Sequence, residues 1–335
     1  MNSRDIRYLI LAITSRCNLN CRYCYMKAGK EGGDMGDTLL ERALRLISHN
    51  HPCHIQITGG EPTLLPNKIA RLAELSRTLP VKPRLAIQTN ATLLTKELGE
   101  LFKEYEFQVG VSLDGPPKIH DRGRGQAAAS LRGLKLLESM AVPFRVTTVV
   151  SHSNVLSLYK VALLLAGFTN SRGLGLDLLI NKGRAANGYQ PPAAAELQQG
   201  VSRLLDTLMV INRRRPRPLR LRELDLLRGN ISGQPFCRAA AAQSLAVTPT
   251  GRLYPCGQTM GDPYFAMGTV ERPDFNKKPP LTRIKLKSTT CQTCPLRKNC
   301  PGECPSRLHY NGENSPLICA MYMALNSGLS RTSRP

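Results

Sequence analysis

Short apolar runs alternate with longer amphipathic segments along the first 182 residues. The runs have the length and composition of buried strands, and we predict strands at residues 7–14, 54–58, 84–89, 107–112, 144–150 and 176–180. Between them, helical periodicity predicts helices at residues 38–50, with Asp37 as N-cap, and at 130–140, opening near Ser130. Six such units with right-handed crossovers predict an α/β fold, a partial (β/α)6 TIM-like barrel.

The pattern changes beyond residue 182. A long helical pattern covers residues 193–214, and a basic, proline-containing stretch, RRRPRPLRLRE, follows it. From Phe236 onward the chain is rich in Gly, Pro and Cys and shows little periodicity, which is typical of a segment that needs metal to fold. We therefore predict four regions: a barrel at 1–185, a helical and basic bridge at 186–235, a cysteine-rich module at 236–325 and a tail at 326–335.

Eleven cysteines and a net charge of +22 add chemistry to this outline. No apolar run approaches the roughly 18 residues that cross a bilayer, and the first residues lack the features of a signal peptide, so we expect a cytoplasmic protein without membrane association. Cytosolic thiols stay reduced, so clustered cysteines indicate metal or redox chemistry. The positive charge leaves two interpretations open: a solvated basic surface, or attraction of an acidic peptide or nucleic acid.

Three cysteines follow the first predicted strand in a C-x3-C-x2-C pattern: Cys17, Cys21 and Cys24. Three thiolates at this spacing can bind one [4Fe-4S] cluster and leave one iron open, whereas a structural zinc site or a ferredoxin-type cluster normally takes a fourth protein ligand. Other glycines and polar residues also follow predicted strands, at the edge of a parallel sheet where ligand sites gather.

This spacing, with Tyr23 beside the last cysteine and Gly59-Gly60-Glu61-Pro62 downstream, resembles the radical S-adenosylmethionine (SAM) superfamily over residues 7 to about 182. The resemblance implies that Cys17, Cys21 and Cys24 are catalytic, that SAM chelates the open iron, and that its reductive cleavage gives a 5′-deoxyadenosyl radical that abstracts hydrogen. It also implies a SAM pocket formed by Tyr23, Gly59, Gly60, Glu61, Pro62, Gln88, Asn90, Ser112, Asp114 and Arg124.

Three roles in that pocket follow from the same resemblance and from side-chain chemistry. Gly59 and Gly60 would let the backbone approach the methionine amino group. Glu61 would accept a hydrogen bond from that ammonium, and Arg124 would pair with the SAM carboxylate, a bidentate contact suited to a guanidinium.

Seven cysteines lie beyond residue 236. Residues 291–304 alone would fit a zinc ribbon. The full spacing instead resembles the SPASM extension of radical SAM enzymes that modify ribosomally made peptides and proteins. The resemblance implies one auxiliary [4Fe-4S] cluster on Cys237, Cys256 and Cys304, and a second on Cys291, Cys294, Cys300 and Cys319.

The chain departs from the SPASM pattern at two places. RAAAAQS stands where relatives have an extra cysteine, so either another side chain completes the first auxiliary cluster or an iron stays open to substrate. Gly257 stands where sulfatase-maturating enzymes have an aspartate base, which argues against formylglycine formation because glycine cannot take a proton. Cys53 is left over, and we predict a buried, inert thiol.

These features predict a peptide maturase that oxidises or cross-links a residue of a ribosomally made peptide or protein. An acidic leader peptide would bind the basic stretch, and we expect no N-terminal leader-binding domain, so a separate leader-binding protein is the other route. Ferredoxin or flavodoxin would donate electrons. The basic residues concerned are Arg213, Arg214, Arg215, Arg217, Arg220 and Arg222.

Three alternatives stay open at this point. The first is a radical SAM/SPASM enzyme acting on a small molecule such as a tetrapyrrole. The second, suggested by charge alone, is modification of nucleic acid; the usual appended RNA-binding domain is not visible, so we do not expect this partner. The third is a non-enzymatic iron-sulfur electron carrier, against which the SAM-binding pattern at residues 59–62 argues.

Overall fold

One sheet organises the part of the chain that the structure describes. The computed structural model describes residues 5–48, 50–229, 234–276, 279–285, 289–312 and 316–332. The sheet has the strand order β7-β6-β5-β4-β3-β2-β1-β8-β9, parallel throughout except for the antiparallel pair β8–β9. The strands are β1 (Tyr8–Ala12), β2 (His54–Thr58), β3 (Arg84–Thr89), β4 (Gln108–Ser112), β5 (Phe144–Val150), β6 (Ser171–Leu178), β7 (Arg220–Leu221), β8 (Ser244–Val247) and β9 (Leu253–Tyr254).

Helices follow most of the strands and cover the outer face of the sheet. They are α1 (Asp37–Leu44), α2 (Pro66–Arg77), α3 (Lys96–Glu104), α4 (Pro117–Gly123), α5 (Ala127–Ser139), α6 (Leu158–Ala166), α7 (Ala194–Asn212), α8 (Arg222–Arg228), α9 (Pro305–Asn311) and α10 (Leu317–Thr332). Consecutive parallel strands joined by outer helices confirm the predicted α/β, TIM-like fold. No helix among the described residues is both long and apolar enough to cross a bilayer.

The two faces of the strands differ in chemistry. On β5, Phe144, Val146, Thr148 and Val150 are buried, whereas the alternate residues are half-buried. Successive side chains of a strand point to opposite faces. The buried set packs beneath the outer helices with residues such as Leu9, Leu11, Ile55 and Ile57, so the other face of the sheet is left to line the barrel interior.

The predicted N-cap of α1 is wrong, and α5 begins three residues before the predicted opening near Ser130. Gly36 occupies the N-cap of α1, and Asp37 is the first helical residue, where its carboxylate forms an ion pair with Lys68 and lies at the positive end of the helix dipole. Ser130 lies inside α5, and its hydroxyl donates to the Asn90 carbonyl (2.8 Å).

The sixth strand begins earlier than the apolar pattern predicts, at Ser171 instead of residue 176. Gly173 has a φ of +121°, and a Cβ there would overlap the backbone of Arg220. Glycine is uncommon inside strands, so the sequence gives no strand signal at this position. In the structure, Gly173 allows the backbone of β7 to approach closely.

The cysteine-rich region is joined to the barrel at two places. The strand β8 pairs in parallel with β1 and extends the sheet. Beside the end of β6, Asn311 Nδ2 donates to Leu179 O (2.7 Å), and Lys182 Nζ donates to the carbonyls of Gln258 and Met260 (2.7 and 2.6 Å). The predicted division into four regions stays a prediction.

Candidate functional site

Three thiols lie close together in the loop after β1. Cys17 N donates to Gly29 O (2.5 Å), Leu19 N donates to Cys17 Sγ (3.4 Å) and Cys24 N donates to Cys21 O (3.2 Å), so backbone contacts hold the loop in a compact turn. Burial raises the pKa of Cys17 to about 11, and the nearby carboxylate of Glu61 and the thiolates of Cys21 and Cys24 also raise it. Each of the three side chains is half-buried, and so within reach of a ligand.

Two residues that the sequence analysis did not single out hold the back of this loop. Arg184 Nε donates to Cys21 O (2.7 Å), Arg184 Nη1 to Ala28 O (2.9 Å) and Arg184 N to Cys24 O (3.0 Å). Gly183, at φ +67°, lets the chain approach so closely that a Cβ would overlap Cys24 O. The only sequence signal for either is a Gly-Arg pair shortly after the sixth strand.

The cysteine loop is also tied to the end of β3. Asn90 Nδ2 donates to Asn18 Oδ1 (2.9 Å), and Asn18 Nδ2 donates to Thr92 Oγ1 (2.7 Å). Asn90 Oδ1 accepts from Thr92 N (2.9 Å). The side chain of Asn90, predicted to contact SAM, therefore orients the loop that carries the thiols, and Asn18 and Thr92 are site residues that the sequence analysis missed.

Gly59 and Gly60 lie against the backbone that leads into the cysteine loop. Gly60 N donates to Thr14 O (2.8 Å), and Glu61 N donates to Arg16 O (2.9 Å). A Cβ on Gly59 would overlap Thr14 O, and one on Gly60 would overlap Arg16 O. Glycine is required at these two positions because the backbone passes close to another segment of the same chain. The predicted approach of Gly59 and Gly60 to SAM stays a prediction.

Glu61 is buried, with 1% of its surface exposed. Its Oε1 accepts from Thr63 N (3.1 Å), Thr63 Oγ1 (2.6 Å) and Thr89 Oγ1 (2.6 Å), and its Oε2 accepts from Asn90 N (2.7 Å). Burial raises the pKa of Glu61, whereas these hydrogen bonds lower it. The carboxylate joins the turn that begins at Pro62 to the end of β3.

A second buried cluster surrounds Asp114, just after β4. Tyr23 Oη donates to Asp114 Oδ2, Arg124 Nε donates to the same oxygen (3.0 Å), and Val149 N donates to Asp114 Oδ1 (3.0 Å). The Arg124 guanidinium lies 5.2 Å from the centre of the Tyr23 ring. Burial raises the pKa of Cys21, but the positive charges of Arg124 and Arg184 act in the opposite direction and favour its thiolate. The structure thereby brings Tyr23, Asp114 and Arg124 beside the cysteine loop.

Gln88 and Ser112 meet on the inner face of the sheet. Gln88 Nε2 donates to Ser112 Oγ (3.0 Å) across the pair β3–β4. A Cβ on Gly110 would overlap the Gln88 amide. Both predicted pocket residues therefore face the barrel interior.

His120, on α4, predicts a pH dependence of stability. It is fully buried, its Nδ1 accepts from Asp114 N (3.4 Å), and its Nε2 has no hydrogen-bond partner among the described residues. Burial lowers its pKa to about 4, and the positive charge of Arg124 acts in the same direction.

The unfolded chain thus binds a proton on this residue below its ordinary pKa of 6.5, before the folded chain does. We expect this residue to remove about 2 kcal/mol from the free energy of unfolding between pH 7 and pH 5. Urea unfolding at both pH values should show a smaller loss for His120→Leu. An equal loss in wild type and variant would contradict the prediction.

The seven cysteines beyond residue 236 form two groups. Burial raises the pKa of Cys256 to about 12, and the thiolates of Cys304 and Cys237 raise it further, so these three lie near one another. The pKa of Cys319 is raised by burial and then by the thiolates of Cys291, Cys300 and Cys294. Cys304 Sγ also lies 3.0 Å from Ser306 Oγ.

Among the described residues, no three His, Cys, Asp or Glu side chains are placed to hold one metal ion. The assignment of the two cysteine groups to auxiliary clusters stays a prediction. Cys53, by contrast, is buried, with its thiol directed to His54 O (3.7 Å).

Comparison with known proteins identifies the barrel. Residues 11–155 match the radical SAM superfamily. An uncharacterised protein of Methanocaldococcus jannaschii is 35% identical over 183 residues; the match covers 52% of this chain but only 63% of that relative, less than two thirds of its length. A serine-type anaerobic sulfatase-maturating enzyme of Klebsiella aerogenes is 27% identical over 364 aligned positions, which cover 98% of this chain and 86% of that enzyme.

A solved structure, native anSMEcpe with bound AdoMet and Cp18Cys peptide, shares the fold. Its TM-score is 0.78 at 24% identity, over 97% of this chain and 96% of that one. The superfamily uses a [4Fe-4S] cluster and SAM. The chain therefore contains a radical SAM domain, at residues 11–155.

Proposed function

We propose that the chain is a radical SAM maturase that abstracts hydrogen from a ribosomally made peptide or protein and then oxidises or cross-links it. The observation that carries the proposal is the compact set of half-buried thiols, Cys17, Cys21 and Cys24, held at the carboxyl edge of the barrel. The similarity to a sulfatase-maturating enzyme over nearly the whole chain supports a peptide or protein as substrate.

In this proposal Cys17, Cys21 and Cys24 hold the catalytic [4Fe-4S] cluster. When bound, the cluster and SAM supply the 5′-deoxyadenosyl radical that abstracts hydrogen from the substrate. Arg184 and the Asn18–Asn90 contact keep the thiols in place. These contacts fix the backbone of the ligand loop, which favours a single binding geometry.

Arg124 is the residue we assign to the SAM carboxylate. A guanidinium has five N–H donors, and Asp114 accepts from the Nε of Arg124 (3.0 Å). Since Asp114 also accepts from Tyr23 and Val149, the arginine is fixed in orientation. Its terminal nitrogens can then serve a second carboxylate, while Gln88, Asn90 and Ser112 would complete the pocket from the inner face of the sheet.

The cysteine-rich module would hold two auxiliary clusters, on the two cysteine groups described above. Ser306 Oγ lies too close to Cys304 Sγ (3.0 Å) to bind a different iron, so we assign it as a hydrogen-bonding neighbour and leave the fourth position of the first cluster open to substrate. A Cβ on Gly257 would lie 3.6 Å from Ile10 Cγ2 and 3.9 Å from Tyr25 Oη. The absence of a carboxylate side chain at Gly257 supports a reaction other than formylglycine formation.

The basic stretch after α7 is only partly available for an acidic leader peptide. Arg215 donates to the carbonyls of Ala166 and Phe168 (2.8 and 2.9 Å), Arg220 pairs with Asp225 (3.0 Å) and Arg222 pairs with Glu223 (2.6 Å). Leader binding would therefore depend on the exposed residues that remain, which are Arg213, Arg214 and Arg217.

The test is an anaerobic assay of reconstituted protein with SAM and dithionite, supplied with candidate precursor peptides. We expect 5′-deoxyadenosine that depends on dithionite, and a peptide product that has lost two hydrogens, both followed by mass spectrometry. Full cluster loading without SAM cleavage would refute the proposal. SAM cleavage with turnover of a tetrapyrrole but of no peptide would favour the small-molecule alternative instead.

A further inference from the structure

A cavity of about 580 Å³ lies on the inner face of β2 to β6. We call it the lumen cavity. Among the described residues, no aspartate or glutamate lines it. Its polar lining consists of His54, Gln56, Gln88, Gln108, Arg145, Thr147 and Arg172.

Two arginines in this lining lack a partner in the part of the chain that the structure describes. Arg145 on β5 and Arg172 on β6 are both half-buried, and neither guanidinium has a hydrogen bond or ion pair within the described residues. Arginines withdrawn from water are normally paired, because desolvating a charge costs free energy. Arginine side chains are effectively always positively charged in proteins.

The two carboxylates that act electrostatically on Arg145 already have other partners. Asp225 pairs with Arg220 (3.0 Å). Glu223 pairs with Arg222 (2.6 Å) and accepts from Leu176 N (3.0 Å). Each of these carboxylates is thus paired with another arginine, and among the described residues neither Arg145 nor Arg172 forms an ion pair of its own.

The cavity extends to Gln88, one of the residues that we assign to the SAM pocket. Gln88 lines the cavity and donates to Ser112 at the end of β4 (3.0 Å). At the other end of the strands, Phe107, Pro143 and Arg172 line it. A bound group at the arginines would therefore lie in the same channel as the proposed reaction centre.

We propose that the lumen cavity binds a carboxylate of the substrate, with Arg145 and Arg172 as its counter-ions, so that the modified peptide segment is acidic. The carboxylate is either an aspartate or glutamate side chain or the C-terminus of a peptide. The glutamines offer neutral donors and acceptors to the peptide backbone. This inference deepens the proposed function and rests on it for the identity of the reaction.

The test measures binding alone, by calorimetric titration of anaerobically purified full-length protein without reductant. The probes are acetyl-Ala-Glu-Ala-amide, acetyl-Ala-Gln-Ala-amide and acetyl-Ala-Gln-Ala with a free C-terminal carboxylate. We expect at least one carboxylate probe to bind about tenfold or more tightly than the amide probe. The probe that binds more tightly identifies the source of the carboxylate.

Variants then assign the preference to residues. Arg145→Gln and Arg172→Gln should each weaken binding of the carboxylate probe about tenfold or more and leave the amide probe unchanged. Arg132→Gln removes the same charge from the exposed side of α5 and should keep the preference. Arg145→Lys retains the charge and should keep part of it.

Equal binding of carboxylate and amide probes by wild type would overturn the inference, as would a preference that survives Arg145→Gln together with Arg172→Gln. Neither result depends on SAM cleavage. Intact SAM cleavage with equal probe binding would refute the carboxylate site alone, whereas selective probe binding without any SAM cleavage would refute the proposed function alone.

Discussion

Replacing Cys24 with alanine is expected to abolish formation of 5′-deoxyadenosine, with a fall in rate of at least about a thousandfold, or about 4 kcal/mol of activation free energy. In the proposed site the three thiols of the loop after β1 are the only protein ligands of the catalytic cluster, so losing one removes an iron ligand that water replaces poorly. Mass spectrometry of anaerobic reactions with dithionite and SAM measures the rate.

Cys53→Ala is the matched control, because Cys53 is a buried thiol outside the cysteine groups. It should keep SAM cleavage and the wild-type iron content, which is about twelve irons for three [4Fe-4S] clusters. Cys24→Ala should contain about four irons fewer. Wild-type rates of SAM cleavage in Cys24→Ala would remove Cys24 from the catalytic site.

Replacing Arg307 with methionine should destabilise the protein by about 3 to 5 kcal/mol, the usual cost of leaving a buried charge without its partner. Arg307 lies on α9 and has 8% of its side chain exposed. It pairs with Glu303 (2.7 Å) and, across the junction with the barrel, with Asp177 on β6 (2.9 Å). Burial opposes its charge, but the nearby thiolate of Cys304 and these two carboxylates raise the pKa of Arg307.

The methionine variant keeps the apolar length of the side chain and removes the charge, so it separates pairing from packing. Urea unfolding measures the free energy, and Arg272→Met, at an exposed residue of the same region, should change it by less than about 0.5 kcal/mol. If Arg307→Met unfolds with a wild-type free energy, the ion pair between Arg307 and Asp177 on β6 does not stabilise the protein.

The sequence predicts the barrel well because its signals are local. The six predicted strands are β1 to β6, because short apolar runs bounded by turn residues indicate buried strands. They lie side by side in chain order, as successive strand-helix-strand units normally do. The spacing of Cys17, Cys21 and Cys24 within one loop likewise requires them to lie near one another. The starts of α1 and α5 were predicted less well, because helix boundaries are the least local part of the signal and Asp37 and Ser130, both polar, are as compatible with the first turns of a helix as with its cap.

The sequence by itself determined the order of the elements and the local cysteine loop, since each depends on neighbours a few residues apart. Only the tertiary structure decided which distant residues support the site. Arg184 contacts Cys21 across 163 residues, Asn90 contacts Asn18 across 72, and Arg307 contacts Asp177 across 130. No local pattern specifies such pairs, because they form where the folded sheet brings the ends of separate strands together.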